Sequence, residues 1–139
     1  MIDLVNFIDQ GWKDQQKYDN ASNRLGPIEL NDPQFTQQRY EKIVEYLGHL
    51  IEEAVEARML IPRRSWKKHE VSYLDSPEKR VEFISEMFDI LLFLRAVLAY
   101  AGVDGKEFEK VAQEKYQFNL RREDHNGNSG IPNPKNPGI

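Results

Sequence analysis

The chain has 139 residues, a formal net charge of -4, 40% hydrophobic and 30% charged residues, and no cysteine. This excludes a disulfide framework and a cysteine metal site, and an acidic balance with no sustained basic block argues against a nucleic-acid partner. No apolar stretch approaches the ~20 residues that a membrane span needs, so no membrane partner is expected.

The N-terminal run MIDLVNFIDQ carries aspartates where a secretion signal needs basic and then unbroken apolar residues, which makes a cytoplasmic protein the expectation. A first helix is predicted from about Asp3 to Asn20, with Leu4, Phe7, Ile8 and Trp12 as an uneven apolar stripe. Gly26, Pro27 and Asn31-Asp32-Pro33 make residues Ala21 to Asp32 a loop. A second helix is predicted from about Pro33 to Leu60, because Ile43, Val44, Leu47, Leu50, Ile51, Ala54 and Val55 recur at three- and four-residue steps. Pro62 stops it.

After the polar segment RRSWKKHEVSYLD, Ser76-Pro77 supplies an N-cap and a first helical residue. The third helix is predicted from Pro77 to Ala101, closed by Gly102. A fourth follows Asp104, whose spacing to Glu107 is that of a capping box, and ends near Arg122. The fold class expected is all-α: a helical bundle with antiparallel long helices, completed by oligomerisation. One domain spans 1–124. The Gly/Pro/Asn-rich tail 125–139 is expected to be flexible or to wrap over a surface.

The chemistry concentrates in the third helix, EFISEMFDILLFLRAVLAY. Apolar side chains cover nearly its whole circumference, so it is expected to be central and largely buried. Yet Glu82, Glu86 and Asp89 share one narrow strip of it, and an unpartnered buried carboxylate costs several kcal/mol. The second helix carries Glu52, Glu53 and Glu56, with Glu53 and Glu56 roughly 60° apart. Taken alone, that trio is more often a solvated face than a metal site. If the two helices pack antiparallel, however, two i,i+3 carboxylate pairs face each other, a donor set suited to magnesium. Di-iron bundles use Glu-x-x-His pairs, which neither His69 nor His125 completes.

Cations stand where an anionic substrate needs them. Lys67 and Lys68 flank Trp66, and Lys115, Asn119 and Arg122 fall on one face of the fourth helix. Solubility and helix C-terminal placement are the plainer readings of these charges. Gln16, on the first helix, offers an amide able to pair with a base edge. No phosphate-binding glycine loop is present, nor a Ser-His-Asp or Cys-His arrangement.

In this order the motifs resemble the all-α nucleoside triphosphate pyrophosphatase superfamily, and within it the dimeric dUTPase branch with its phage dCTPase-dUTPase members. The resemblance covers roughly Gln16 to Asp124. It rests on Glu52-Glu53-Ala54-Val55-Glu56, on Glu86-Met87-Phe88-Asp89, on Ser65-Trp66-Lys67-Lys68, and on Lys115 to Arg122 as K-x-x-x-N-x-x-R. Gln16-Lys17-Tyr18-Asp19 matches a first-helix pattern in shortened form.

The resemblance implies Glu53, Glu56, Glu86 and Asp89 as magnesium ligands, with manganese a substitute. It implies Glu52 or Glu53 as the group that activates water. Lys67, Lys115, Asn119 and Arg122 would meet phosphate or sugar, and Gln16 and Trp66 would hold the base. The reaction implied is cleavage of a deoxynucleoside triphosphate, dUTP or dCTP, to monophosphate and pyrophosphate by a homo-oligomer, a dimer or dimer-based assembly. The chain departs from the pattern after Asp124, where His125-Asn126-Gly127 replaces a Gly-Tyr pair, leaving substrate identity open. A purine-deoxynucleotide or broad housecleaning pyrophosphatase is the alternative within this chemistry. A non-catalytic helical interaction module is the alternative outside it.

Overall fold

The computed structural model describes residues 3–61 and 73–124, and among them every regular element is helical. The elements are α1 (Leu4–Ala21), α2 (Pro27–Leu30), α3 (Thr36–Leu60), α4 (Pro77–Tyr100) and α5 (Gly105–Asp124), with single 3-10 turns at Pro33–Phe35 and Tyr73–Asp75. The chain is an all-α protein, as its periodicity predicts. It forms two compact units, Met1–Gly105 and Lys106–Ile139. Trp66, Lys67 and the tail 125–139 lie outside the described residues, and so does Pro62.

The helix ends follow from local chemistry. The Asp3 carboxylate accepts from Val5 N at 2.9 Å and caps α1. At the other end of α1, Asn23 adopts φ 54°, while Arg24 N donates to Asp19 O and Asn23 N to Asn20 O, the paired bonds of a Schellman stop. α4 ends in the same way on Gly102, at φ 74°, with Val103 N bonded to Leu98 O and Gly102 N to Ala99 O. Ile61 is extended, at φ -96° and ψ 130°, as the residue before a proline prefers. The segment read as a plain loop contains α2, because Pro27 sits at its first turn and the Glu29 carboxylate returns to Gly26 N at 3.1 Å.

α3 and α4 run antiparallel. Glu53 faces Glu86 and Asp89, whereas Tyr46, two turns earlier on α3, stacks on Tyr100 at the far end of α4. The core gathers at that far end: Leu30, Tyr46, Ala96 and Tyr100, with Phe35, Ile43, Phe93 and Val97 packed around them. α1 lies across the C-terminal half of α4, where the Arg95 guanidinium meets Asp14 at 3.0 Å and Trp12 Nε1 donates to Val103 O. Gly11 makes that approach possible, since a Cβ there would overlap the Arg95 side chain.

The expectation that α4 is buried along its length needs correction. Ala96, Ala99 and Tyr100 are buried, but Val81, Ile84, Phe88 and Leu91 remain 46–63% exposed. Among the described residues, α1 and α3 cover only part of the all-round apolar pattern.

Candidate metal centre

Three of the predicted carboxylates come together. Glu53 of α3 and Glu86 and Asp89 of α4 each present an oxygen such that all three lie within 4.8 Å of one another, and all three side chains are half-buried. The helical spacing explains it. Glu86 and Asp89 occupy adjacent turns on one strip of α4, and the antiparallel pairing sets Glu53 opposite them.

The electrostatics are those of acidic groups held close together. The Glu53 carboxyl is pushed up to about 7, first by its hydrogen bond with Glu86, then by burial and by the charges of Glu56, Glu86 and Asp89. Glu86 Oε2 is buried and has no hydrogen-bond partner, which native interiors seldom tolerate. Clustered carboxylates that leave a buried oxygen unpaired form a donor set that fits a divalent cation.

The remaining predicted residues distribute differently. Glu56 is exposed and outside the three-oxygen group, although its charge is felt by Glu53. Glu52 is exposed and lies 3.3 Å from His49 Nδ1. Gln16 is tied into the corner before α2: its Nε2 donates to Glu29 Oε1 at 2.9 Å and to Asn20 at 3.2 Å. The backbone N–H of Glu29 first, then the Gln16 amide and Gly26 N, hold the Glu29 carboxyl below its ordinary value. Lys115, Asn119 and Arg122 belong to the second unit. There Lys115 Nζ stands 5.1 Å above the Phe118 ring, and Asn119 Oδ1 has no hydrogen-bond partner.

Sequence reasoning missed the cavity beside the carboxylates. It measures about 390 Å³ and is lined by Asp14, Gln15 and Tyr18 of α1, Tyr46 and Glu53 of α3, and Asp89 and Phe93 of α4. A second hollow of about 420 Å³ shares Gln15, Tyr18, Tyr46 and Phe93 and adds His49. Both fall within the range of small-molecule sites. The amide facing this space is Gln15, one residue before the predicted Gln16. Its Nε2 lies 2.9 Å from Tyr46 Oη and 3.2 Å from Tyr100 Oη. Behind it the fully buried Asp19 accepts from the Tyr100 hydroxyl. Burial, and then that bond, raises the Tyr100 phenol well above its ordinary value. The available signal was Asp19 four residues after Gln15, a polar pair on the face that also carries the buried Ile8 and Gly11.

No family model, no curated protein and no solved structure matches this chain. The family resemblance drawn from the motifs is therefore corrected. The described residues contain no strand, and no comparison places the chain with dUTPases or dCTPases. What stands is the carboxylate cluster itself, a group able to hold a divalent cation in a metal-dependent hydrolase. Among the described residues, no helix is long and apolar enough to cross a membrane.

Proposed function

We propose that the protein is a magnesium-dependent hydrolase of nucleoside triphosphates with broad base tolerance, releasing a monophosphate and pyrophosphate. The observation that carries this reading is the Glu53/Glu86/Asp89 group at the edge of a cavity walled by aromatic rings. A bound divalent cation would polarise a phosphate oxygen and lower the pKa of a coordinated water. Glu86 and Asp89 would hold the ion, and Glu53, which faces both across the helix pair, is the best-placed acceptor for the proton of the attacking water. Tyr18 and Phe93 line the cavity with rings able to stack on any base, against one side-chain amide, Gln15, for base edges. That balance favours a broad nucleotide hydrolase over a pyrimidine-specific one.

A non-catalytic interaction module is the second reading, favoured by the exposed apolar rows of α3 and α4. Incubation with each common ribo- and deoxynucleoside triphosphate in magnesium separates the two. Pyrophosphate formation from several bases supports the hydrolase. Orthophosphate alone contradicts cleavage between the α and β phosphates, a single preferred pyrimidine contradicts broad tolerance, and inertness across the panel favours the module.

A further inference from the structure

The cavity beside the carboxylates carries an amide whose direction is set from behind. Gln15 Nε2 donates to Tyr46 Oη at 2.9 Å and to Tyr100 Oη at 3.2 Å, and both Asp19 carboxylate oxygens stand 3.4 Å from it. An amide nitrogen has two hydrogens and accepts nothing, so these oxygens consume all that it can give. Asp19 and Tyr100 are fully buried, and the Tyr100 hydroxyl donates to Asp19 Oδ2. Turning the Gln15 amide over would set its oxygen against the two carboxylate oxygens, with the Tyr100 hydrogen already committed. Acceptor facing acceptor in a buried network carries the full desolvation penalty of unpaired groups, so the nitrogen stays inward. Gln15 Oε1 accepts nothing from any described residue and is not sealed from solvent. The Gln16 amide differs on both counts: its oxygen is sealed, and its nitrogen is held by Glu29 and Asn20.

We propose that Asp19, with the Tyr100 hydroxyl bonded to it, is a positioning residue that locks Gln15 so that the cavity presents a hydrogen-bond acceptor alone, and that the site therefore takes nucleotides whose base offers an N–H donor. This rests on the nucleotide reading of the cavity. Tyr18 and Phe93 line both hollows and meet the face of a planar ring whatever its identity, which leaves the edge to the Gln15 oxygen. A lone acceptor does not tell the common bases apart, because each has an N–H on its pairing edge: the amino groups of adenine and cytosine, the ring N–H of uracil and thymine, both kinds in guanine. It rejects a ring that has none, since the acceptor is then stripped of water and left unpaired. Tolerance among the common bases and refusal of a donor-free base are two consequences of one locked amide.

The test compares adenosine 5′-monophosphate with purine riboside 5′-monophosphate, which lacks only the amino group, by calorimetry on the full chain in magnesium. The wild type binds the adenine nucleotide about tenfold more tightly, the effect of one unpaired acceptor. In Asp19→Asn the introduced amide nitrogen donates to Gln15 Oε1, the Gln15 nitrogen turns to the cavity, and the gap between the two nucleotides closes. Gln15→Leu removes the acceptor and closes it too. A merely structural Asp19 weakens both nucleotides in parallel in Asp19→Asn and leaves their ratio unchanged, which overturns the proposal, as does a wild type that binds the two equally or binds neither. Should Asp19→Asn fail to fold, Gln15→Leu decides on a half-buried side chain, and a gap that survives it overturns the proposal. Binding with the gap but no turnover of triphosphates contradicts the hydrolase reading and leaves the lock standing, whereas turnover with equal binding does the reverse.

Discussion

At the scale of single residues, the carboxylates were legible and their neighbours were not. Glu86 and Asp89 stood out because they interrupt an apolar helix, where an unpartnered charge is costly. Glu53 could be paired with them once the helices were taken as antiparallel. Gln15 was missed although Asp19, four residues on, marks its face; the Gln16-Lys17-Tyr18-Asp19 pattern drew the assignment to the neighbouring position, about 100° away.

Two outcomes follow at this scale. Asp89→Ala lowers metal-dependent turnover by at least the ~10–100-fold that loss of an outer-shell partner costs, without lowering the thermal midpoint of the metal-free protein, since it relieves repulsion at Glu53. Paired assays and melting curves check both halves. Tyr100→Phe removes the hydroxyl donor from the buried Asp19 and destabilises the protein by about 1–3 kcal/mol in a denaturant titration.

Glu53 also sets a pH dependence whose sign is fixed. Its folded pKa, about 7, lies above the ordinary 4.5, so the metal-free fold binds the extra proton between those values. The stability this contributes is fully present below 4.5 and is lost as pH rises through about 7. Cation binding must displace the same proton, so affinity rises over the window in which metal-free stability falls. Melting curves of chelator-treated protein show the fall, and Glu53→Gln flattens it.

At the scale of elements, helix ends were readable wherever a residue type has a single mechanical use. Ser76-Pro77 opens α4 and Gly102 closes it. Because Gly102 sits at φ 74°, with Asn31 Oδ1 only 3.2 Å from where a Cβ would stand, Gly102→Ala costs about 1–2 kcal/mol, measurable as a lowered midpoint in denaturant. α2 escaped notice because Gly26-Pro27 reads equally as a breaker and as a helix start. The burial of α4 was overestimated for a related reason: periodicity reports how much of a helix is apolar, not whether its covering comes from the same chain.

At the scale of the whole molecule, the two halves of the α3–α4 pair have separate work. The C-terminal half of α4 meets α1 and the core around Tyr46 and Tyr100, which fixes Gln15 at the cavity wall. The middle of α4 carries Glu86 and Asp89, and its N-terminal half leaves Val81, Ile84 and Phe88 exposed. The most direct test of the metal-dependent hydrolase reading is pyrophosphate release from a nucleoside triphosphate, followed through chelation and re-addition of magnesium, for wild type and Glu86→Gln. The expected result is turnover that stops with chelator, resumes with magnesium, and is largely lost in the variant. Turnover indifferent to chelator and to the Glu86 change, or no turnover in magnesium at all, contradicts it.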